Sequence, residues 1–223
     1  MEIAMKIVAI NGSPRKDWNT ATLLTNILDG AAGAGAKTEL VHLYSLNYQG
    51  CRSCFACKMI GKASYGHCAV KDGLSPILAA IASEVDALVI GSPIYFGMVS
   101  GETQSFIERL LFPYLVYSNP PSSLFPKKMP SVSVFTMNVG EELAPELGYP
   151  ANFARQRDSL ERILGGPSRI FASYDTCQFA DYAKVIMEMM DPAKKLARRQ
   201  EVFPEECRRA RSLGEELARG MAG

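Results

Sequence analysis

The chain has 223 residues, 48% of them hydrophobic and 21% charged, which is enough apolar content for one well-buried core and excludes general disorder. Its 24 Lys and Arg balance 23 Asp and Glu, so no net field favours a nucleic-acid backbone or an anionic membrane surface. No apolar run approaches the ~20 residues that cross a bilayer, and the opening apolar stretch is shorter than the roughly seven residues an export signal needs, so the expected location is cytoplasmic.

The first predicted strand, Lys6–Ile10, is short, β-branched and apolar, as suits a parallel strand buried on both faces. It runs into Asn11-Gly12-Ser13-Pro14, which is turn chemistry. From Thr20 onward, Leu23, Leu24, Ile27, Leu28 and Ala31 fall at helical spacing. Asn19 or Thr20 is the expected cap of that helix, and Gly30, Gly33 and Gly35 its expected end. A second strand is predicted over Thr38–Tyr44 and a helix at about Leu74–Ser83. The third strand, Ala87–Ile90, is expected to end in the turn Gly91-Ser92-Pro93, before a helix marked by Phe106, Ile107, Leu110 and Leu111. Tyr114–Lys128, rich in Pro, Ser and aromatics, reads as a long loop. Ser131–Thr136 is the fourth strand and Ser168–Tyr174 the fifth, with a helix at roughly Ala151–Leu164 between them. After Pro192, an apolar stripe of Val202, Phe203, Cys207, Ala210, Leu213 and Leu217 predicts one or two further helices.

This alternation predicts the α/β class: a doubly wound, five-stranded parallel sheet in the order 2-1-3-4-5, with three layers, α/β/α. Residues 1–190 are expected to form that unit, and 191–223 a helical extension packed on it or on a partner subunit. In such a sheet ligands bind beyond the carboxyl ends of the strands, which directs attention to the turns after strands one, three and four.

The turn after strand one is the most informative. A loop joining a buried strand to a helix N-terminus offers unpaired backbone N–H groups and the positive end of a helix dipole. Here it adds hydroxyls at Ser13, Thr20 and Thr22, an amide at Asn19 and a guanidinium at Arg15. That donor set suits a phosphate better than a plain capped turn, which needs one such residue. There is no G-x-x-x-x-G-K-[ST], and the glycines at 30, 33 and 35 follow a helix, which excludes an NTPase phosphate loop and a dinucleotide fingerprint.

Three motifs together, Gly12-Ser13-Pro14-Arg15 with Asn19-Thr20, Cys51-x-x-Cys54-x-x-Cys57, and Gly91-Ser92-Pro93-Ile94-Tyr95-Phe96-Gly97, resemble the NADPH-dependent FMN reductase and iron-sulfur flavoprotein group of flavodoxin-like proteins over about residues 5–140. The stretch Asp175–Lys184 also looks like members of this group. The resemblance implies a flavodoxin-like fold and FMN, its phosphate held by Ser13, Arg15, Asn19, Thr20 and Ala21. It implies that Pro93, Ile94, Tyr95, Phe96 and Gly97 border the isoalloxazine ring, and that the turn carrying Thr136 and Asn138 approaches its other side. The flavin then carries the chemistry and no catalytic side chain is required. His42 reads as a structural histidine on a strand. Tyr95 and Phe96 read equally as packing aromatics or as ring-stacking partners.

The cysteines leave three readings open. Cys51, Cys54, Cys57 and Cys68 could ligate an iron-sulfur cluster, act as free or redox-active thiols, or hold zinc. The ten-residue spacing to Cys68 departs from the closer fourth cysteine of iron-sulfur flavoproteins, and Gln104 stands where a lysine is common in the group. Three functions follow: an oxidoreductase moving a hydride or electrons from NAD(P)H to a flavin, quinone, nitroaromatic or protein acceptor; an iron-sulfur electron carrier exchanging with ferredoxin; or a redox sensor. No nucleic-acid or membrane partner is expected, and a homodimer or homotetramer is.

Overall fold

The computed structural model describes residues 4–220, so residues 1–3 of the first expected unit and 221–223 of the second lie outside the described residues. In chain order the elements are β1 (Lys6–Asn11), α1 (Asn19–Gly33), β2 (Lys37–His42), α2 (Ser75–Ser83), β3 (Ala87–Tyr95), β4 (Met98–Val99) and α3 (Gly101–Leu111). They continue with β5 (Leu115–Val116), β6 (Ser122–Ser123), β7 (Met129–Thr136), α4 (Tyr149–Leu164), β8 (Gly165–Ser173), α5 (Pro192–Glu201) and α6 (Phe203–Ala218).

The main sheet has the order β2-β1-β3-β7-β8, with β4 paired antiparallel to β3. Its five long strands are parallel and follow the expected 2-1-3-4-5 path. Successive side chains on a strand point to opposite faces, and each strand therefore feeds two cores. Ile7, Ala9, Val89, Val132 and Val134 pack with Leu23, Leu24 and Ile27 of α1 and with Phe203, Ala210 and Leu217 of α6. Val8, Ile10, Leu88 and Ile90 pack on the other face with Ile81 of α2, Phe106 and Leu110 of α3, and Leu160 and Ile163 of α4.

The helices α1 and α6 cross in close contact because each brings a glycine. A Cβ at Gly30 would stand 1.9 Å from the Arg211 carbonyl oxygen, and one at Gly214 would stand 1.8 Å from that of Ile27. Gly30 is thus an interior packing position, and α1 ends at Gly33 with Ala34 as its cap.

Two segments differ from the sequence expectation. β3 does not stop before Gly91-Ser92-Pro93 but continues to Tyr95 and turns back through Phe96-Gly97 into β4. The two turn residues have φ of 50° and 81°, the left-handed pair that a two-residue hairpin of right-twisted strands requires. Within the expected loop 114–128, Leu115–Val116 and Ser122–Ser123 form a second short hairpin, closed by Leu115↔Ser123 pairing.

Candidate functional site

At the carboxyl end of β1, Asn11 is fully buried and organises the loop that follows. Its Oδ1 accepts from the Ser13 N–H at 3.0 Å, which leaves its Nδ2 to donate to His42 Nδ1 at 2.9 Å. His42 is therefore neutral, and burial followed by the nearby Lys16 charge pushes its pKa below 6.5. Ser13 Oγ accepts from the Arg15 N–H at 3.1 Å, closing a compact turn. Gly12 sits between Gly91, whose carbonyl accepts its N–H at 2.8 Å, and Ser100, whose hydroxyl donates to its carbonyl at 2.6 Å. The same Ser100 caps α3 by accepting from Thr103 N, so the loop, the β3–β4 hairpin and α3 form one hydrogen-bonded unit.

The N-terminus of α1 opens against this loop. The expected cap at Asn19 or Thr20 is not formed: the cap position is Trp18, no side chain bonds the helix terminus, and the first turn holds no acid. The first helical bond runs from Thr22 N–H to the Trp18 carbonyl at 2.8 Å, so the N–H groups of Asn19, Thr20 and Ala21 lack an intrahelical acceptor. The side chains that could have capped are engaged elsewhere. Asn19 Nδ2 donates to the Cys177 carbonyl at 2.8 Å, and the Thr20 hydroxyl meets that of Thr136, at the end of β7, at 2.8 Å.

Nine of the twelve expected positions line one cleft: Ser13, Arg15, Asn19, Thr20, Pro93, Ile94, Tyr95, Thr136 and Asn138. Ser13, Asn19, Thr20 and Thr136 are all buried, and Asn138 Oδ1 is buried with no hydrogen-bond partner. Ala21 is buried in the first turn of α1 and does not line the cleft. Phe96 stands wholly in solvent at the hairpin tip, and Gly97 faces a neighbouring groove under that hairpin, beside Phe135 and Phe153, which stack at 4.1 Å. The Arg15 guanidinium does not point free into the cleft but donates to the Gln178 carbonyl.

Sequence reasoning missed the remaining wall. Trp18, Thr176, Gln178 and Phe179 complete the cleft, and Met137 joins it from the expected turn Thr136-Met137-Asn138. The segment after β8 is tied across it: Trp18 Nε1 donates to the Cys177 carbonyl at 3.0 Å, and Thr176 Oγ1 to the Met137 carbonyl at 3.0 Å. Buried Lys195 of α5 secures the segment by donating to the Asn138 carbonyl at 2.7 Å and to Asp175. The one available signal was the stretch Asp175–Lys184, which carried a likeness but no role.

The four clustered cysteines border a second, smaller cleft together with Phe55, Phe112 and Arg109. Among the described residues no three His, Cys, Asp or Glu side chains are gathered closely enough to hold one metal ion. Burial pushes the Cys57 thiol up, and burial pulls the adjacent Lys58 ammonium down as it donates to the carbonyls of Phe112, Pro113 and Leu115. Both roots of the cysteine loop are fixed by Arg109, which is 2% exposed and donates to the Gln49 carbonyl at 2.8 Å and to both Asp72 oxygens at 2.8 and 3.2 Å.

Comparison with known proteins places this geometry. Residues 5–140 match the family model described as NADPH-dependent FMN reductase. An iron-sulfur flavoprotein of Archaeoglobus fulgidus is 39% identical over 105 residues, covering 47% of this chain and 48% of that protein. Another, of Methanocaldococcus jannaschii, is 35% identical over 105 residues, covering 47% of this chain and 51% of that protein. The chain thus matches about half the length of these relatives. Among solved structures, the NAD(P)H:quinone oxidoreductase from Methanothermobacter marburgensis shares the fold with a TM-score of 0.66 at 14% identity, covering 96% of this chain and 100% of that one. An FMN-dependent NADH-azoreductase from Bacillus anthracis, solved in complex with FMN, shares it with a TM-score of 0.64 at 12% identity, over 96% and 99% of the two chains. Among the described residues no helix is long and apolar enough to cross a membrane. With more than half of its 223 residues matched by the one model, the chain belongs to the NADPH-dependent FMN reductase family.

Proposed function

We propose that this chain holds FMN in the cleft at the carboxyl ends of β1, β3 and β7 and passes reducing equivalents from NAD(P)H to an acceptor such as a flavin, a quinone, a nitroaromatic compound or a redox protein. One observation carries the reading: α1 begins without a cap or an acid, and its three unpaired N–H groups meet a wall of buried hydroxyls and amides. That is the donor chemistry of a phosphate monoester site. The family's description, and the FMN held by the Bacillus anthracis azoreductase of the same fold, support FMN as the ester.

In this reading Ser13, Arg15 and the N–H groups of Asn19, Thr20 and Ala21 hold the phosphate. Pro93, Ile94 and Tyr95 border the ring on one side, with Thr136 and Asn138 on the other. Asn138 Oδ1, buried and unpartnered, is an acceptor for a ring N–H. When bound, FMN supplies the redox chemistry, and the protein's task is binding, orientation and exclusion of water. No side chain need move a proton. Under anaerobic conditions NAD(P)H is expected to bleach the flavin absorption of the loaded protein in a stopped-flow trace; an unchanged absorption with both nucleotides would sink the enzyme reading.

A second reading, an electron carrier that adds an iron-sulfur cluster, is favoured by the fact that all four clustered cysteines border one cleft. The names of the sequence relatives support it. Stoichiometric iron and acid-labile sulfide in protein prepared anaerobically would favour this carrier, and their absence would leave the cysteines as thiols.

A further inference from the structure

The residues matched by the family model end at 140, yet the cleft is closed by residues well beyond them, and Arg199 on α5, outside the lining itself, touches two wall residues, Asn19 and Trp18. Arg199 Nη1 donates to Asn19 Oδ1 at 2.8 Å, and its guanidinium lies 4.4 Å from the centre of the Trp18 ring. Asn19 is thereby held at both ends of its amide, since its Nδ2 already donates to the Cys177 carbonyl at 2.8 Å. An amide so committed cannot fold back to cap α1, and a tryptophan at the cap position has no side-chain acceptor to offer. The neighbouring Arg198 is neutralised by Glu206 at 2.6 Å, whereas among the described residues no carboxylate pairs with Arg199. Its charge therefore remains available beside the helix terminus.

Resting on the FMN reading above, we infer that Arg199 is a positioning residue for the FMN phosphate. It fixes Asn19 and Trp18 so that the α1 terminus stays open, and it adds a positive charge to the anion pocket. Two consequences follow. The C-terminal helices contribute to cofactor selection, and the discrimination they provide acts on the phosphate and not on the ring.

The test uses the full chain stripped of cofactor. Trp18 is the only tryptophan, so its fluorescence reports binding at this site directly. FMN, riboflavin and inorganic phosphate are titrated into wild type, Arg199→Met and Arg199→Lys. Loss of a charge-assisted contact predicts that Arg199→Met weakens FMN about ten-fold and leaves riboflavin within about two-fold. Arg199→Lys keeps the charge without the planar fork, so its FMN loss is expected near three-fold, about half the effect on a logarithmic scale. An FMN-to-riboflavin affinity ratio identical to wild type in Arg199→Met overturns the inference. Should that variant fail to fold, an unchanged ratio in Arg199→Lys, at low and at physiological salt, overturns it equally. If wild type itself binds FMN and riboflavin alike, the phosphate assignment falls first, and that outcome is separate from any effect of position 199.

Discussion

At the scale of single residues, the cleft depends on a short relay that begins at His42. Its neutral ring accepts from Asn11, and Asn11 in turn accepts from the Ser13 N–H in the loop after β1. Burial, then the Lys16 charge, depresses the folded pKa of His42 below its unfolded 6.5. The unfolded chain therefore takes up the proton first, so this contribution to stability is complete above pH 6.5 and is lost as pH falls toward the folded value. Melting temperature measured against pH should fall more steeply below pH 6.5 in wild type than in His42→Gln, which cannot be protonated; parallel curves would contradict the relay. The hydroxyl-rich loop itself was legible in the sequence because Ser13, Thr20 and Asn19 are close together in the chain. Trp18 and its partner Cys177 were not, since the two lie 159 positions apart and neither forms part of a periodic pattern.

At the scale of elements, the strands were legible from apolar runs and the helices from their stripes, with ends shifted by a few residues. The clear exception is β3. Gly91-Ser92-Pro93 carries turn residues, yet the strand runs on because Ser92 and Pro93 remain in register with Phe135 and Thr136 of β7. Gly91 serves packing there, since a Cβ would meet Leu24 at 2.7 Å. Gly30 and Gly214 work likewise at the α1–α6 crossing. Alanine at either position gains about 1 kcal/mol of helix propensity but forces backbone apart, and each is expected to lose about 2–3 kcal/mol net in urea unfolding. The cysteine loop rests on Arg109. Burial alone would raise the Asp72 carboxyl, but the hydrogen bonds and charge of Arg109, with the Leu74 N–H, hold it below the ordinary carboxylate range. Arg109→Met strands that carboxylate, at an expected cost of about 3 kcal/mol. Limited proteolysis should then cut first between residues 49 and 72; an unchanged cleavage pattern would count against the clamp.

At the scale of the whole molecule, the parallel sheet gathers the loops after β1, β3 and β7 at one end, as its topology requires. The order of the strands was therefore enough to select three walls of the cleft. The fourth comes from the segment between β8 and α5, whose irregular chain has no period to read, held by Lys195 through Asp175. The C-terminal stripe read in the sequence as helices packed on the domain or on a partner subunit; in the structure α6 shares a layer with α1 and covers the sheet with Phe203, Ala210 and Leu217. The proposed cofactor site centres on the uncapped start of α1 as a place for an anion. The most direct measurement is calorimetric titration of cofactor-free wild type with FMN and with riboflavin, which differ only by the phosphate. FMN is expected to bind at least about a hundred-fold more tightly, as two or more charge-assisted contacts require, with the gap narrowing as salt rises. Equal affinities for the two would contradict it.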